Sequence, residues 1–186
     1  MNNTKSLISF CILTIVFGFS FLWFGLAPSP SPVAEVKILP QIATSSSTLG
    51  IDGERVVVER VVDGDTIVVA GNQTVRFVGI DTPETVDPKR PVGCYGKEAS
   101  SEVKGLLTGK AVILQKDISD TDKYHRLLRY IYLPLDNGQT LFVNDYLVRA
   151  GFAKVLTYPP DVKYDKQFRS AETEAKNNKK GLWGSC

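Results

Sequence analysis

Histidine is almost absent from this chain: His125 is the only one. Cys94 is the one cysteine near the acidic motifs described below. A zinc site built from several imidazoles or thiolates is therefore excluded. An excess of one charge is missing too. The formal net charge is +2, and Lys5, Glu35 and Lys37 are the only charged side chains before Ile51, so the remainder is close to neutral. Global charge selects no partner, and any nucleic-acid reading must rest on local clusters. No internal repeat is visible.

Charge is scarcest at the start, where Lys5 is the only charged side chain before Glu35. From Leu7 to Ala27 the chain is nearly all apolar. About 20 such residues make a helix of ~30 Å, the depth of a bilayer core. A cleaved signal peptide has a shorter apolar core, ending in small residues at the cut. Here the run is longer, and Pro28 sits just after Gly25 and Ala27, where it hinders cleavage. The favoured reading of residues 1–27 is an uncleaved transmembrane anchor, with a cleaved signal peptide as the alternative. Both place everything after residue 27 outside the cytoplasm, because Lys5 and the amino terminus favour the inside. A buried core helix fits poorly, since the run lacks a polar face. Residues 28–50 contain P-S-P-S-P and T-S-S-S-T, a composition that packs no core and reads as a disordered linker.

Residues 51–186 suffice for one domain and are too few for two. Arg55 to Val69 reads as strand, turn, strand: two valine-rich runs flank Asp63-Gly64-Asp65, a hairpin signal. Gly71-Asn72 marks a second hairpin before a strand over Val75 to Ile80. Thr85 to Gly93 is a loop. A helix follows over Gly96 to Leu107, with Ala99, Val103, Leu106 and Leu107 at helical spacing and Gly109 closing it. Lys110 to Lys116 and Leu127 to Leu133 are the fourth and fifth strands. Val143 to Ala150 is a short helix, Phe152 to Leu156 is extended, and Asp161 to about Asn178 is the last helix. The expected fold is α+β: a five-stranded OB-fold-like β-barrel with three helices, preceded by the N-terminal apolar helix.

The chain is organised around R-F-V-G-I-D-T-P-E, residues 76–84. An apolar strand carries Arg76 and ends in a turn with two carboxylates, Asp81 and Glu84. Pro83 fixes its own φ and pushes Thr82 out of the α region. If the second and third strands pair as a hairpin, Asp65 meets Asp81, with Glu84 close by. Such hard oxygens suit calcium or magnesium. Arg76 lies inside an apolar strand and needs a partner or the barrel mouth. With Arg126, in a polar loop, it is placed to clamp a phosphate beside a carboxylate-bound metal. The plainer reading pairs Arg76 with Glu84 and Arg126 with Asp122 as ordinary ion pairs.

D-G-D-T (63–66), R-x4-D-T-P-E-T (76–85), Y-G-x-E-A (95–99), T-D-K-Y-x-R (121–126) and V-N-x-x-L-V-R-x-G-x-A-K-V (143–155) occur in one order and spacing. In this the chain resembles the staphylococcal nuclease (thermonuclease) family, from about Val56 to Trp183. Several motifs in register are a strong signal, where any one alone is weak. The resemblance implies an OB-fold nuclease domain over residues 51–186 that hydrolyses phosphodiester bonds of DNA and RNA with calcium, leaving 3′-phosphate and 5′-hydroxyl ends. It implies that Asp65 and Asp81 ligate calcium by side chains and Thr82 by its carbonyl. It implies that Glu84 activates or orients the attacking water, and that Arg76 and Arg126 bind the phosphate and stabilise the five-coordinate state. Lys123 and Tyr124 match positions that contact a neighbouring phosphate. The implied partners are single-stranded or breathing DNA and RNA, bound by a monomer held to the membrane through its N-terminal helix, or secreted.

Two departures from the family stand out. His125 replaces the glycine usual between the loop tyrosine and arginine. The tyrosine pair on which a base stacks is not cleanly aligned; Tyr158 is the one candidate platform, and burial against the barrel is its alternative. Cys94 and Cys186 lie in the part expected outside the cytoplasm, where disulfides persist. A bridge between them, free thiols and an intermolecular pair all remain open. So do two non-enzymatic readings of the whole chain: an OB module that binds nucleic acid or protein without cleavage, and an envelope protein that keeps the barrel only as a scaffold. The clustered Asp65, Asp81 and Glu84 oppose the first, because pure binding has no use for negative charge beside a phosphate.

Overall fold

The computed structural model describes residues 50–186. The expected apolar helix over 1–27, and the linker up to residue 49, lie outside the described residues. The first hairpin pairs β1 (Glu54–Asp63) with β2 (Thr66–Val69), and the second pairs β2 with β3 (Gln73–Phe77). Gly71 and Asn72 both adopt positive φ between them, as the turn signal requires. After β4 (Gly79–Asp81) come α1 (Gly96–Leu107), β5 (Ala111–Gln115), β6 (Leu127–Pro134), β7 (Thr140–Phe142) and α2 (Val143–Arg149). The chain closes with β8 (Lys154–Leu156), α3 (Asp165–Asn177) and α4 (Leu182–Ser185).

The barrel runs β3-β2-β1-β5-β6 and is closed by a parallel pairing of β3 with β6, while β7 flanks β6. Closure sets Val75 opposite Leu127 and Arg76 opposite Leu128. Arg126, immediately before β6, therefore reaches the edge that carries Arg76. Val58, Ile67, Val75, Phe77, Val112, Leu114 and Ile131 form the interior, and Val103, Leu107, Leu147 and Phe168 from the helices join the same core. Burying such side chains is worth about 1.5–3 kcal/mol each.

The structure departs from the sequence expectations at both ends of the site. The single strand expected over Val75–Ile80 breaks at Gly79, which has φ +80°. The Phe168 ring lies 2.6 Å from where a Cβ at Gly79 would stand, so only glycine fits. The chain beyond the break, β4, leaves the barrel and pairs with β8 in a separate two-stranded sheet. Asn144, fully buried, bridges the break: its Nδ2 donates to the Val78 carbonyl at 2.9 Å and its Oδ1 accepts from the Ile131 amide at 2.9 Å. The helix expected from Asp161, α3, begins at Asp165, and the short α4 follows it where no further helix was expected. Asp161 does not cap α3. Its Oδ1 accepts instead from the amides of Ile118 at 3.0 Å and Ser119 at 2.8 Å, across the fold.

Candidate active site

The tight β1–β2 turn delivers Asp65, and the β4 end delivers Asp81, Thr82 and Glu84. Gly64 lets the two turns touch: a Cβ there would stand 2.8 Å from the Thr82 side chain. Asp65 Oδ2 accepts from the Thr82 amide at 2.9 Å and the Thr82 hydroxyl at 3.2 Å, and Oδ1 accepts from the Thr66 hydroxyl at 2.9 Å. Arg76 sits between the carboxylates. Its Nη2 lies 3.1 Å from Asp65 Oδ2 and 2.9 Å from Asp81 Oδ1. Its Nη1 donates to the carbonyls of Phe77 at 2.7 Å and Ile80 at 2.8 Å. One guanidinium nitrogen thus brings the two carboxylates to the same spot. The partners of Arg76 are thus Asp65 and Asp81, not Glu84.

Burial pushes the Asp81 carboxyl above its ordinary range; Arg76 pulls it back, and the charges of Asp65 and Glu84 push it up again. Glu84 is the opposite case. Its Oε1 accepts from the amides of Val86 at 2.9 Å, Asp87 at 3.1 Å and Thr85 at 3.1 Å, which hold the carboxyl below its usual range against partial burial. Among the described residues no amide donates to Oε2. The Asp63 carboxyl beside it also holds Glu84 down, so Glu84 is a carboxylate with Oε1 fixed by the loop that follows it.

Among the described residues, no three carboxylate, imidazole or thiolate side chains converge tightly enough to hold an ion by themselves. The oxygens that fit a hard divalent cation are those of Asp65 and Asp81 together with the Thr82 carbonyl, which accepts no hydrogen bond among the described residues. That set suits calcium or magnesium, whose remaining positions are filled by water or phosphate. A cation bound there would offset the charges of Asp65 and Glu84 that bear on Asp81.

Arg126 forms the ion pair with Asp122 that the plainer reading anticipated, with Nη2 and Nε both 2.6 Å from Asp122 Oδ2. The pair does not turn it away. Arg126 lines a cavity of about 520 Å³ with Asp65, Asp81, Thr82, Glu84 and Arg76. It also lines a neighbouring cleft of about 550 Å³ with Arg76, Lys123, Tyr124 and Tyr158. Both arginines thus belong to both spaces, at the boundary between an acidic pocket and an aromatic cleft. In the cleft, Lys123 Nζ lies 5.0 Å and Arg126 Cζ 5.4 Å from the Tyr124 ring centre. Tyr158 is 68% exposed, so it faces the cleft and is not packed into the barrel. His125 takes φ +62° in the turn, the left-handed conformation a glycine adopts without cost.

Two residues with a role here, Asp63 and Asp161, escaped the sequence reading, and Asp122, anticipated as the partner of Arg126, does more than pair with it. Asp63, seen only as a turn residue, accepts from the Thr85 hydroxyl at 2.6 Å and the Gly64 amide at 2.8 Å, and lies against Glu84. Asp122 organises its loop, accepting from the amides of Tyr124 at 2.8 Å and Arg126 at 3.0 Å. Asp161 joins the Tyr158 lip of the cleft to the 117–126 loop. The signal for Asp63 was its place in D-G-D-T; Asp161 carried none. Cys94 and Cys186 are joined in a disulfide, with Cα atoms 6.0 Å apart.

The chain is similar to known nucleases. The family model described as "Staphylococcal nuclease homologue" matches residues 74–185. The thermonuclease of Staphylococcus hyicus is 41% identical over 129 residues, covering 68% of this chain and 73% of that protein. The thermonuclease of Staphylococcus intermedius is 40% identical over 140 residues, 74% of this chain and 80% of that protein. Endonuclease YncB of Bacillus subtilis (strain 168) is 41% identical over 133 residues, 69% of this chain and 61% of that protein.

Proposed function

The chain belongs to the staphylococcal nuclease family and is a phosphodiester-hydrolysing nuclease, and from that premise we propose that it is a calcium-dependent enzyme acting on both DNA and RNA. The observation that carries the proposal is the shared position of Arg76 and Arg126 between the acidic pocket and the aromatic cleft. A phosphate between the two guanidinium groups presents its phosphorus to Glu84 and leaves an adjoining nucleotide against Tyr124 and Tyr158.

Arg76 is the more rigid clamp, since two backbone carbonyls fix its Nη1. Arg126 keeps part of its guanidinium free beyond Asp122. Together they neutralise the equatorial oxygens as charge builds on the five-coordinate phosphorus. Glu84, held ionised through Oε1, orients a water on Oε2 for in-line attack. Its depressed pKa makes it a weaker base, so positioning is the larger part of its contribution. The new bond joins water oxygen to phosphorus as the bond to the 5′ oxygen breaks; the proton of the water passes to solvent by way of Glu84, and the departing 5′ oxygen takes one up from solvent. The products are a 3′-phosphate and a 5′-hydroxyl. Asp65, Asp81 and the Thr82 carbonyl would hold calcium, which when bound supplies Lewis-acid polarisation of the phosphoryl oxygen.

Lys123 and Tyr124 contact a neighbouring phosphate, and Tyr158 provides a face for a base. The protein acts as a monomer outside the cytoplasm, tethered through residues 1–27 with residues 28–50 as linker and 51–186 as the working domain. The uncharged run from Leu7 to Ala27 supports that placement. The test is direct. The full chain is incubated with single-stranded DNA and with RNA, with calcium and with a chelator, and the end groups are identified. Calcium-dependent 3′-phosphate ends are expected on both; undiminished cleavage in chelator, or 5′-phosphate ends, would overturn the mechanism.

A further inference from the structure

We propose that the Cys94–Cys186 disulfide positions the turn over residues 81–84, so that nuclease turnover depends on the bridge being oxidised. This rests on the roles given above to Asp81 and Glu84. The loop between Thr85 and Gly93 has no buried side chain, and Val86 and Val92 are exposed. Its first residues are gathered on Glu84 Oε1, and beyond them its position rests on its two ends. At one end Thr85 is bonded to Asp63. At the other, the Gly93 amide donates to the Glu84 carbonyl at 2.8 Å, and Cys94 follows directly. The disulfide reinforces that second end.

Its other half reaches the same turn from the C-terminus. The Leu182 amide donates to the Gly151 carbonyl at 2.9 Å, which docks α4 beside β8. Trp183 lies under Lys154 Nζ at 5.7 Å and Lys176 Nζ at 4.4 Å. Lys154 stands opposite Asp81 in the β4–β8 pairing. A small cavity of about 250 Å³ is walled jointly by Asp81, Thr82, Pro83, Lys154, Cys94 and Cys186. The bridge therefore links the two segments that flank the carboxylate turn, and it does so 92 residues apart in sequence. Cys94 is exposed, open to a dithiol. Reduction breaks the S–S bond: two electrons and two protons pass from the dithiol to give two thiols and an oxidised, cyclic dithiol. Both tethers then slacken, and Glu84 loses its fixed height above the phosphate.

The test uses the full chain in three forms: oxidised, reduced with dithiothreitol, and the Cys94→Ser/Cys186→Ser double variant. Turnover of single-stranded DNA with calcium is measured below the unfolding temperature, alongside circular dichroism and amide hydrogen exchange. Misplacement by ~1 Å can cost as much as 100-fold, and a fall in kcat of roughly tenfold with KM within about twofold is expected here. It should appear in both sulfur-reduced and double-variant chains, with faster exchange confined to residues 83–96 and recovery on reoxidation of the wild type. Equal kcat in all three forms overturns the proposal. So does a loss that tracks the unfolded fraction, which would make the bridge a stability staple only. An oxidised chain that leaves DNA intact instead sinks the functional reading of the preceding subsection, whatever the exchange data show.

Discussion

Arg76 Nη2 lies 2.9 Å from Asp81 Oδ1, while Nη1 of the same side chain is held by the carbonyl of Ile80, one residue before that aspartate. The arginine thus fixes both the backbone and the charge of the turn it serves. Arg76→Lys keeps the charge but loses the planar fork. A loss of roughly 100-fold or more in kcat is expected, in the range found for removing one preorganised donor. Arg76→Ala should also lower stability by about 3 kcal/mol, because two carboxylates lose their shared partner. Single-turnover cleavage and urea unfolding test the two parts separately; a lysine variant with wild-type kcat would contradict the clamp.

Glu84 spends one oxygen on three amides. Glu84→Ala should lower kcat by about 10²–10⁴, the usual weight of a positioned acid–base group. Circular dichroism should be unchanged, since the side chain packs no core. Glu84→Gln keeps an oxygen for the three amides, so the loop should hold, and its turnover should still fall. A glutamine variant with full turnover would show that the charge is not needed.

The aromatic cleft has a separate readout. Tyr158→Ala should raise KM for single-stranded DNA by a factor corresponding to about 1–3 kcal/mol of lost stacking, with kcat little changed. Asp161→Ala should act on the same parameter by another route. It leaves the amides of Ile118 and Ser119 without their acceptor, at about 1–3 kcal/mol of stability, and loosens the loop carrying Lys123 and Tyr124. If the Asp161 variant binds substrate normally despite the lost stability, the two lips of the cleft are not coupled.

Stability at alkaline pH follows from the tyrosines. Burial, with a hydrogen bond of 2.6 Å to Glu102, pushes the Tyr146 hydroxyl up to about 12 from its ordinary 10. Burial raises Tyr130 and Tyr132 as well. A tyrosine whose folded pKa lies above its unfolded one stabilises fully below pH ~10 and loses that contribution as pH rises through the folded value. The urea midpoint should therefore drop between pH 10 and 12. Tyr146→Phe should remove part of that slope, and an unchanged slope would show that Tyr146 titrates normally.

Much of the barrel was legible because it is local. The two hairpins follow from Asp-Gly and Gly-Asn turns between β-branched runs, and α1 and α2 from their spacing of apolar residues. What was illegible is tertiary. The break after Phe77 depends on Phe168, which packs on Gly79 from a helix far along the chain. The start of α3 shifts because Asp161 is claimed by two amides on another loop. In the site, Asp65, Asp81 and Arg76 could be brought together on paper by pairing strands two and three. The Arg126 position needed the parallel β3–β6 contact, which no local pattern announces. Asp63 looked like punctuation because turn chemistry alone accounts for an aspartate before glycine.

That parallel contact has a consequence for the life of the chain. Every acidic group of the site is made before residue 85, yet the second guanidinium arrives only when β6 has been synthesised and laid beside β3. A chain that has formed its acidic turn but has not yet laid β6 beside β3 therefore lacks the two-arginine boundary of the site. The paired guanidinium clamp is thus a product of tertiary closure and of no single segment.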